Sequence, residues 1–235
     1  MSAKKNTRGH VTAVVDIIGH RIVANHYQPG ETLPIEQELA TSLEVGRNAL
    51  REAVKVLSGK GLIVTAPRSG TRVRPRDEWN MLDPDVLKWH ADPDIATEKF
   101  MLDLIELRGI VEPKAAELAA LRATKEDVTS ILSAYETMAD NKIDLEQRIQ
   151  ADVFFHTAIL KASHNEVLTH FHHAIATYLK AHARLGQALS SKEQENDLAR
   201  HYQIAWAIAT GKEKSAYKLT VEMLELNRRH FSREP

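Results

Sequence analysis

Apolar residues recur every three or four positions at Val11, Val14, Val15, Ile18 and Ile22, which predicts a helix over about 11–25. Gln28-Pro29-Gly30 breaks it. A shorter amphipathic stretch, 35–43, turns Leu39 and Ala40 inward. After a turn at Glu44-Val45-Gly46, a second stretch runs from Arg47 to Leu57. Leu50, Val54 and Leu57 share one face of it, and Arg47, Asn48, Arg51 and Lys55 lie largely on the other. Two short helices joined by a tight turn predict a helix-turn-helix. Gly59 and Gly61 stop the second helix. Leu62–Thr65 and Thr71–Arg74 then form two strands around the turn Pro67-Arg68-Ser69-Gly70, which is the hairpin of a wing.

Beyond the hairpin, 75–93 is rich in Pro, Asp and Trp, and it predicts a linker that packs through Trp79 and Trp89. From Ile95 onward the pattern is helical throughout. No glycine lies between Gly109 and Gly186, and no proline between Pro113 and Pro235. Helices are expected over about 95–108, 110–121, 125–139, 144–162, 165–189, 191–210 and 212–231. Thr124-Lys-Glu-Asp127 fits a helix cap with acids in the first turn. The fold class is therefore mostly α. A winged helix-turn-helix over 1–76 and a linker over 77–94 precede an all-helical bundle over 95–235.

Composition sharpens this division. Residues 1–76 hold 12 Lys and Arg against 6 Asp and Glu, whereas the remainder holds 19 against 26. A basic small domain joined to an acidic larger one implies that the first part meets a polyanion. Cysteine is absent, which excludes disulfides, thiolate zinc sites and cysteine nucleophiles. No run of about 18 apolar residues occurs, so no membrane span is expected. Met1–His10 lack the apolar stretch of a secretion signal, and a cytoplasmic location is the default expectation.

At fixed spacings the chain carries Gly30-Glu-Thr-Leu-Pro34, Glu36, Glu38-Leu39-Ala40, Val45-Gly-Arg47, Arg51-Glu52-Ala53, Leu57, Gly61-Leu62-Ile63 and Gly70-Thr71. In these residues, over 11–75, it resembles the GntR family of winged helix-turn-helix regulators. Ile35 and Gly46 depart from the pattern, since a small residue and a Ser or Thr are usual there. The resemblance implies operator DNA as partner, an inverted repeat bound by a homodimer. Gln37, Arg47, Asn48 and Arg51 are the implied contacts of the helix-turn-helix, with Arg68 and Gly70 at the wing tip. Arg can bond guanine O6 and N7 in bidentate fashion within the major groove. Taken alone, the same arginines would fit a solvated helix face.

Glu106-Leu-Arg108, Val111-Glu112-Pro113, Ala119-Ala120, Asp152-Val-Phe-Phe-His156, Asn165, His201 and Ala207-Ile208 resemble the helical ligand-binding domain of that family's FadR-type branch. The branch implies a small carboxylic acid as effector, often beside a divalent metal. Asp152 and His156 lie four apart, so they project from one side of a helix and can chelate one ion. They can equally form a pair that stabilises the bundle. The resemblance adds His201 as third ligand and Zn²⁺ as the metal. Met223 stands where many relatives carry a further histidine. Arg108 is the implied partner of the effector's carboxylate, and an ion pair to Glu112 one turn on is the other role open to it. Arg76–Trp89 is more narrowly similar to repressors of sugar-acid catabolism. The implied effector is a sugar acid such as galactonate or gluconate, and the implied action is repression. A second reading makes Asp152, His156 and His201 the centre of a metal-dependent enzyme, although no separate general base stands at a diagnostic spacing. A third makes the metal purely structural within a dimerisation module.

Overall fold

The computed structural model describes residues 3–66, 69–184 and 191–231. The chain divides into two compact units, Met1–Ile95 and Ala96–Pro235.

The first unit is built on α1 (Ala3–Val23), α2 (Glu36–Ser42) and α3 (Arg47–Gly59), followed by the antiparallel pair β1 (Ile63–Ala66) and β2 (Gly70–Val73) and by α4 (Pro84–His90). Val14, Val15, Ile18 and Ile22 of α1 meet Leu39 of α2, Leu50 and Leu57 of α3, and Leu62, Ile63 and Val73 of the wing in one core. Each fully buried Leu or Ile stabilises by about 2 kcal/mol. The turn between α2 and α3 takes its left-handed residue at Glu44 (φ 53°), not at Gly46, which starts α3 with φ −69°. The amides of Glu44 and Val45 donate to the carbonyls of Thr41 and Ala40, a pairing that satisfies the end of α2. Gly61 plays the same part after α3, with φ +79°. A Cβ there would stand 2.6 Å from the Glu78 carbonyl oxygen, so the position requires glycine.

The stretch expected to link the two halves is folded into the first unit. A 3₁₀ turn over Arg76–Glu78 leads to α4, which Asp83 caps through the amides of Asp85 and Val86. Trp79 and Trp89 are buried in the same core as α1 and α3. The Trp89 indole N–H donates to Asp16 at 3.0 Å, and its ring lies where a Cβ on Gly19 would stand, at 2.3 Å. Lys60, at the end of α3, is largely buried between Asp83 at 2.8 Å and Asp85 at 2.7 Å. These contacts join α4 to both α1 and α3.

The second unit consists of α5 (Glu98–Arg122), α6 (Lys125–Ala139), α7 (Leu145–Ala162), α8 (Glu166–Thr169), α9 (His172–Arg184), α10 (Ser191–Ala209) and α11 (Glu213–Phe231). Helix α5 packs against α7, α9, α10 and α11, and α6 packs against α7 and α10. Two differences from the periodicity stand out. The break expected at Gly109 is absent, and α5 runs unbroken through Gly109 and Pro113. A lone helical glycine costs only about 1 kcal/mol, less than the burial of Leu104, Ile105, Val111, Ala115 and Ala116 returns. Where a single helix is expected over 165–189, the described residues 165–184 form α8 and α9, separated around His170 and Phe171, and 185–189 lie outside the described residues. The caps follow the sequence: Thr124 with Asp127, and Asp144 with Gln147, form reciprocal capping boxes. No helix among the described residues is long and apolar enough to cross a membrane.

Candidate metal centre and DNA-reading face

Asp152 and His156 stand one turn apart on α7, and α10 brings His201 to them. The Asp152 Oδ1 lies 3.3 Å from His156 Nε2 and 3.4 Å from His201 Nε2, and the two Nε2 atoms are 3.4 Å apart. The three atoms make a nearly equilateral triangle. Bonds of about 2.05 Å in tetrahedral geometry separate neighbouring ligand atoms by about 3.3 Å, so the spacing suits a Zn²⁺-sized ion.

The hydrogen bonds outside the triangle prepare it for a cation. His156 donates from Nδ1 to Glu112 Oε2 at 2.7 Å, and His201 donates from Nδ1 to the Asp197 carbonyl at 2.8 Å. In the neutral imidazoles this leaves both Nε2 lone pairs directed at the Asp152 carboxylate. Asp152 Oδ1 is buried without a hydrogen-bond partner, although the side chain as a whole is 29% exposed, so the exposure lies on the rest of the group. Three lone-pair donors thus converge with nothing between them, and the residues fit a metal.

Electrostatics reports the same need for positive charge. Burial opposes the Asp152 carboxylate, but the adjacent imidazoles of His156 and His201 outweigh it and hold Asp152 far below the usual range. Burial likewise opposes charge on His156, yet Glu112 and Asp152 raise it to about 9. His201 is raised as well, by Asp197 and Asp152 against burial.

Arg108 is fully buried on α5. Its guanidinium is ion-paired to Glu112 and lies 4.7 Å from the centre of the Tyr178 ring. Glu112 therefore carries two partners, Arg108 and His156, and is held at about 2 because those cations outweigh its burial. Sequence reasoning saw Glu112 only as a partner for Arg108. The bond to His156 crosses from α5 to α7 and has no spacing signature, and Tyr178 escaped for the same reason. Met223 is buried on α11 and lines a small cavity with Glu112, Phe155, His156 and Thr220, of about 10 Å³, room for about one water.

In the first unit Gln37, Arg47, Asn48 and Arg51 are all exposed on the helix-turn-helix. Arg51 donates from Nε to Glu36 at 3.0 Å, which steadies the side chain across α2 and α3. Gly46 supplies no side-chain cap to α3. Gly70 is exposed at the start of β2, while Arg68 lies outside the described residues.

Comparison with known proteins places this geometry. The bacterial regulatory proteins of the GntR family match residues 11–73, and the FCD domain matches residues 103–226. The chain belongs to the GntR family. Its FCD domain is the one carried by the FadR-type branch, and it coincides with the helical unit that holds the triad. This GntR regulator is 36% identical over 197 residues to the galactonate operon transcriptional repressor of Escherichia coli K12, covering 80% of this chain and 86% of that repressor. It is 30% identical over 217 residues to the Uxu operon transcriptional regulator of the same organism, covering 85% and 77%. A solved GntR protein of Streptococcus agalactiae aligns with a TM-score of 0.52 at 26% identity, over 93% of this chain and 99% of the other. The regulator Lar of Listeria monocytogenes shares the fold with a TM-score of 0.61 at 19% identity, over 95% and 97%. These families and relatives are transcriptional regulators, so the enzyme reading falls away.

Proposed function

We propose that this GntR regulator is a repressor whose homodimer binds an inverted-repeat operator and is released by a sugar acid such as galactonate or gluconate. The observation that carries the sensing half is the triangle of Asp152, His156 and His201 with both imidazole tautomers set for a cation. These three residues would hold a divalent ion, most naturally Zn²⁺, which supplies a Lewis-acidic position for a carboxylate or hydroxyl oxygen. Charge bookkeeping supports an anionic effector. Arg108 and a divalent ion together exceed Glu112 and Asp152 by one positive charge, and one carboxylate restores neutrality in a site where unpaired charge is costly. Arg108 contributes to that field while its fork stays on Glu112. The name of the galactonate operon repressor points to the same class of effector.

For the DNA half, Gln37, Arg47, Asn48 and Arg51 would read the major groove, with Gly70 and Arg68 reaching from the wing. A dimer places two such faces on a palindrome. Release requires that the acid bind the two states of the dimer with different affinity. The test is thermal unfolding and fluorescence anisotropy of Zn²⁺-loaded protein, on DNA selected from a random pool, with and without D-galactonate and D-gluconate. At 100 times its dissociation constant the acid should stabilise by about 2.7 kcal/mol and release the DNA, and chelation should abolish both effects. Arg51→Ala should lose the DNA and keep the thermal response. No response to any aldonate in metal-loaded protein would leave a purely structural metal as the better account.

A further inference from the structure

Tyr178 sits on α9 with 1% of its surface exposed, and its hydroxyl is buried without a hydrogen-bond partner. Its ring is clamped. The Arg108 guanidinium lies 4.7 Å from its centre, and the His182 ring stacks on it at 5.4 Å. A phenylalanine could make both ring contacts without burying an orphaned hydroxyl, so packing alone does not account for the tyrosine. Burial pushes the phenol up to about 12, against the pull of Arg108, so it is a neutral O–H donor at physiological pH. Geometry ties it to the triad: Arg108, seated on the Tyr178 ring, is ion-paired to Glu112, and Glu112 accepts from His156 at 2.7 Å. There it is a donor that lacks an acceptor, in the same buried polar cluster as a carboxylate oxygen, Asp152 Oδ1, that also lacks a hydrogen-bond partner. They do not satisfy one another. A guest that brings oxygen acceptors to a cation held on Asp152 supplies what both are missing.

We infer that the Tyr178 hydroxyl is a selecting contact of the sensing site, donating a hydrogen bond to an oxygen of a bound hydroxy-carboxylate. This rests on the sensing role proposed above and adds the residue that recognises the acid directly. Tyr178 is suited to the part because its two side-chain torsions are held by packing, so the donor is aimed before the ligand arrives.

The experiment compares wild type with Tyr178→Phe by calorimetric titration, first with Zn²⁺ alone and then with D-galactonate and D-gluconate on the Zn²⁺-loaded proteins. The expected result is unchanged Zn²⁺ affinity and an acid-free melting temperature at least as high as wild type, since an unpaired buried hydroxyl is removed, with affinity for the acid weakened between about tenfold and a hundredfold, the range of a hydrogen bond to a charged group. Equal acid affinities in the two proteins would overturn the assignment while leaving the sensing role standing. Weakened Zn²⁺ binding in Tyr178→Phe would make the residue a support of the metal site and would also overturn it. A wild type that binds neither acid overturns the sensing role itself, and this inference with it.

Discussion

Replacing Glu112 with glutamine tests the linkage between the buried ion pair and the triad. The amide keeps the shape of the side chain and an acceptor oxygen for His156 Nδ1, but it removes the charge and turns an N–H donor toward Arg108 where a carboxylate oxygen accepted. Two routes give the cost. Glu112 is held at about 2 against an ordinary 4.5, which corresponds to about 3 kcal/mol of preference for the charged form. Removing one partner of a buried ion pair independently costs about 3–5 kcal/mol, because the other charge is stranded. Here that charge is the Arg108 guanidinium, fully buried on α5. Both routes predict a loss of about 3 kcal/mol at pH 7, or roughly 6–12 °C of melting temperature for a unit of this size.

The pH dependence separates this mechanism from a packing defect. A carboxyl depressed in the folded state stabilises fully above its unfolded value of 4.5, and the stabilisation is lost as the pH falls toward 2. The gap between wild type and Glu112→Gln should therefore be widest at neutral pH and close progressively below pH 4.5. The variant should also bind Zn²⁺ about 10- to 100-fold more weakly, the usual cost of altering the group that orients a ligating imidazole. Urea unfolding across pH 3–7 and competition against a chromophoric chelator measure the two effects. A stability gap that is absent at pH 7, or that stays constant from pH 7 to pH 3, would refute the reasoning.

Two predictions concern the first unit. Gly19→Ala would drive a Cβ into the Trp89 ring at 2.3 Å; overpacking costs about 1–3 kcal/mol against about 1 kcal/mol of gained helix propensity, so urea unfolding should show net destabilisation, and a variant as stable as wild type would contradict the packing of α4 on α1. His90 is lowered from 6.5 by burial, with the Val86 carbonyl opposing and Arg76 assisting. The unfolded chain therefore takes up a proton that the folded one refuses, and stability falls as pH drops below 6.5, by at most about 1.4 kcal/mol per pH unit. His90→Phe should flatten that slope between pH 6.5 and 5, and identical slopes would exclude His90 as the group responsible.

The readable parts of this fold are those where one helix face suffices to state the pattern. Leu39, Leu50 and Leu57 announce the helix-turn-helix because each must face the same small core. The parts that were misread depend on partners remote in sequence. Gly109 looked like a break because its propensity is poor, but the burial on both sides of it belongs to contacts with α7, α9, α10 and α11. The stretch 75–93 reads as a linker that packs through Trp79 and Trp89, and both rings are buried, but the composition does not say which core receives them. Trp79 and Trp89 find their places only once α1 presents Gly19 and Asp16, and once Lys60 at the end of α3 meets Asp83 and Asp85.

The site divides along the same line. Asp152 and His156 are adjacent by helical geometry, so their pairing can be written down from a spacing of four. His201 entered through resemblance, since no local rule connects α7 with α10. What neither spacing nor resemblance contains is the direction of the hydrogen bonds. The triad is suited to a cation because Glu112 and the Asp197 carbonyl accept from the Nδ1 atoms, which in the neutral imidazoles turns both Nε2 lone pairs toward Asp152. Had those acceptors faced Nε2 instead, the same three residues would form an ordinary buried hydrogen-bond cluster. Glu112 can play its part only because Arg108 holds it ionised in the core. The pair that a sequence reading treats as an alternative to ligand binding thus supports the hydrogen bond that orients His156 in the candidate metal site.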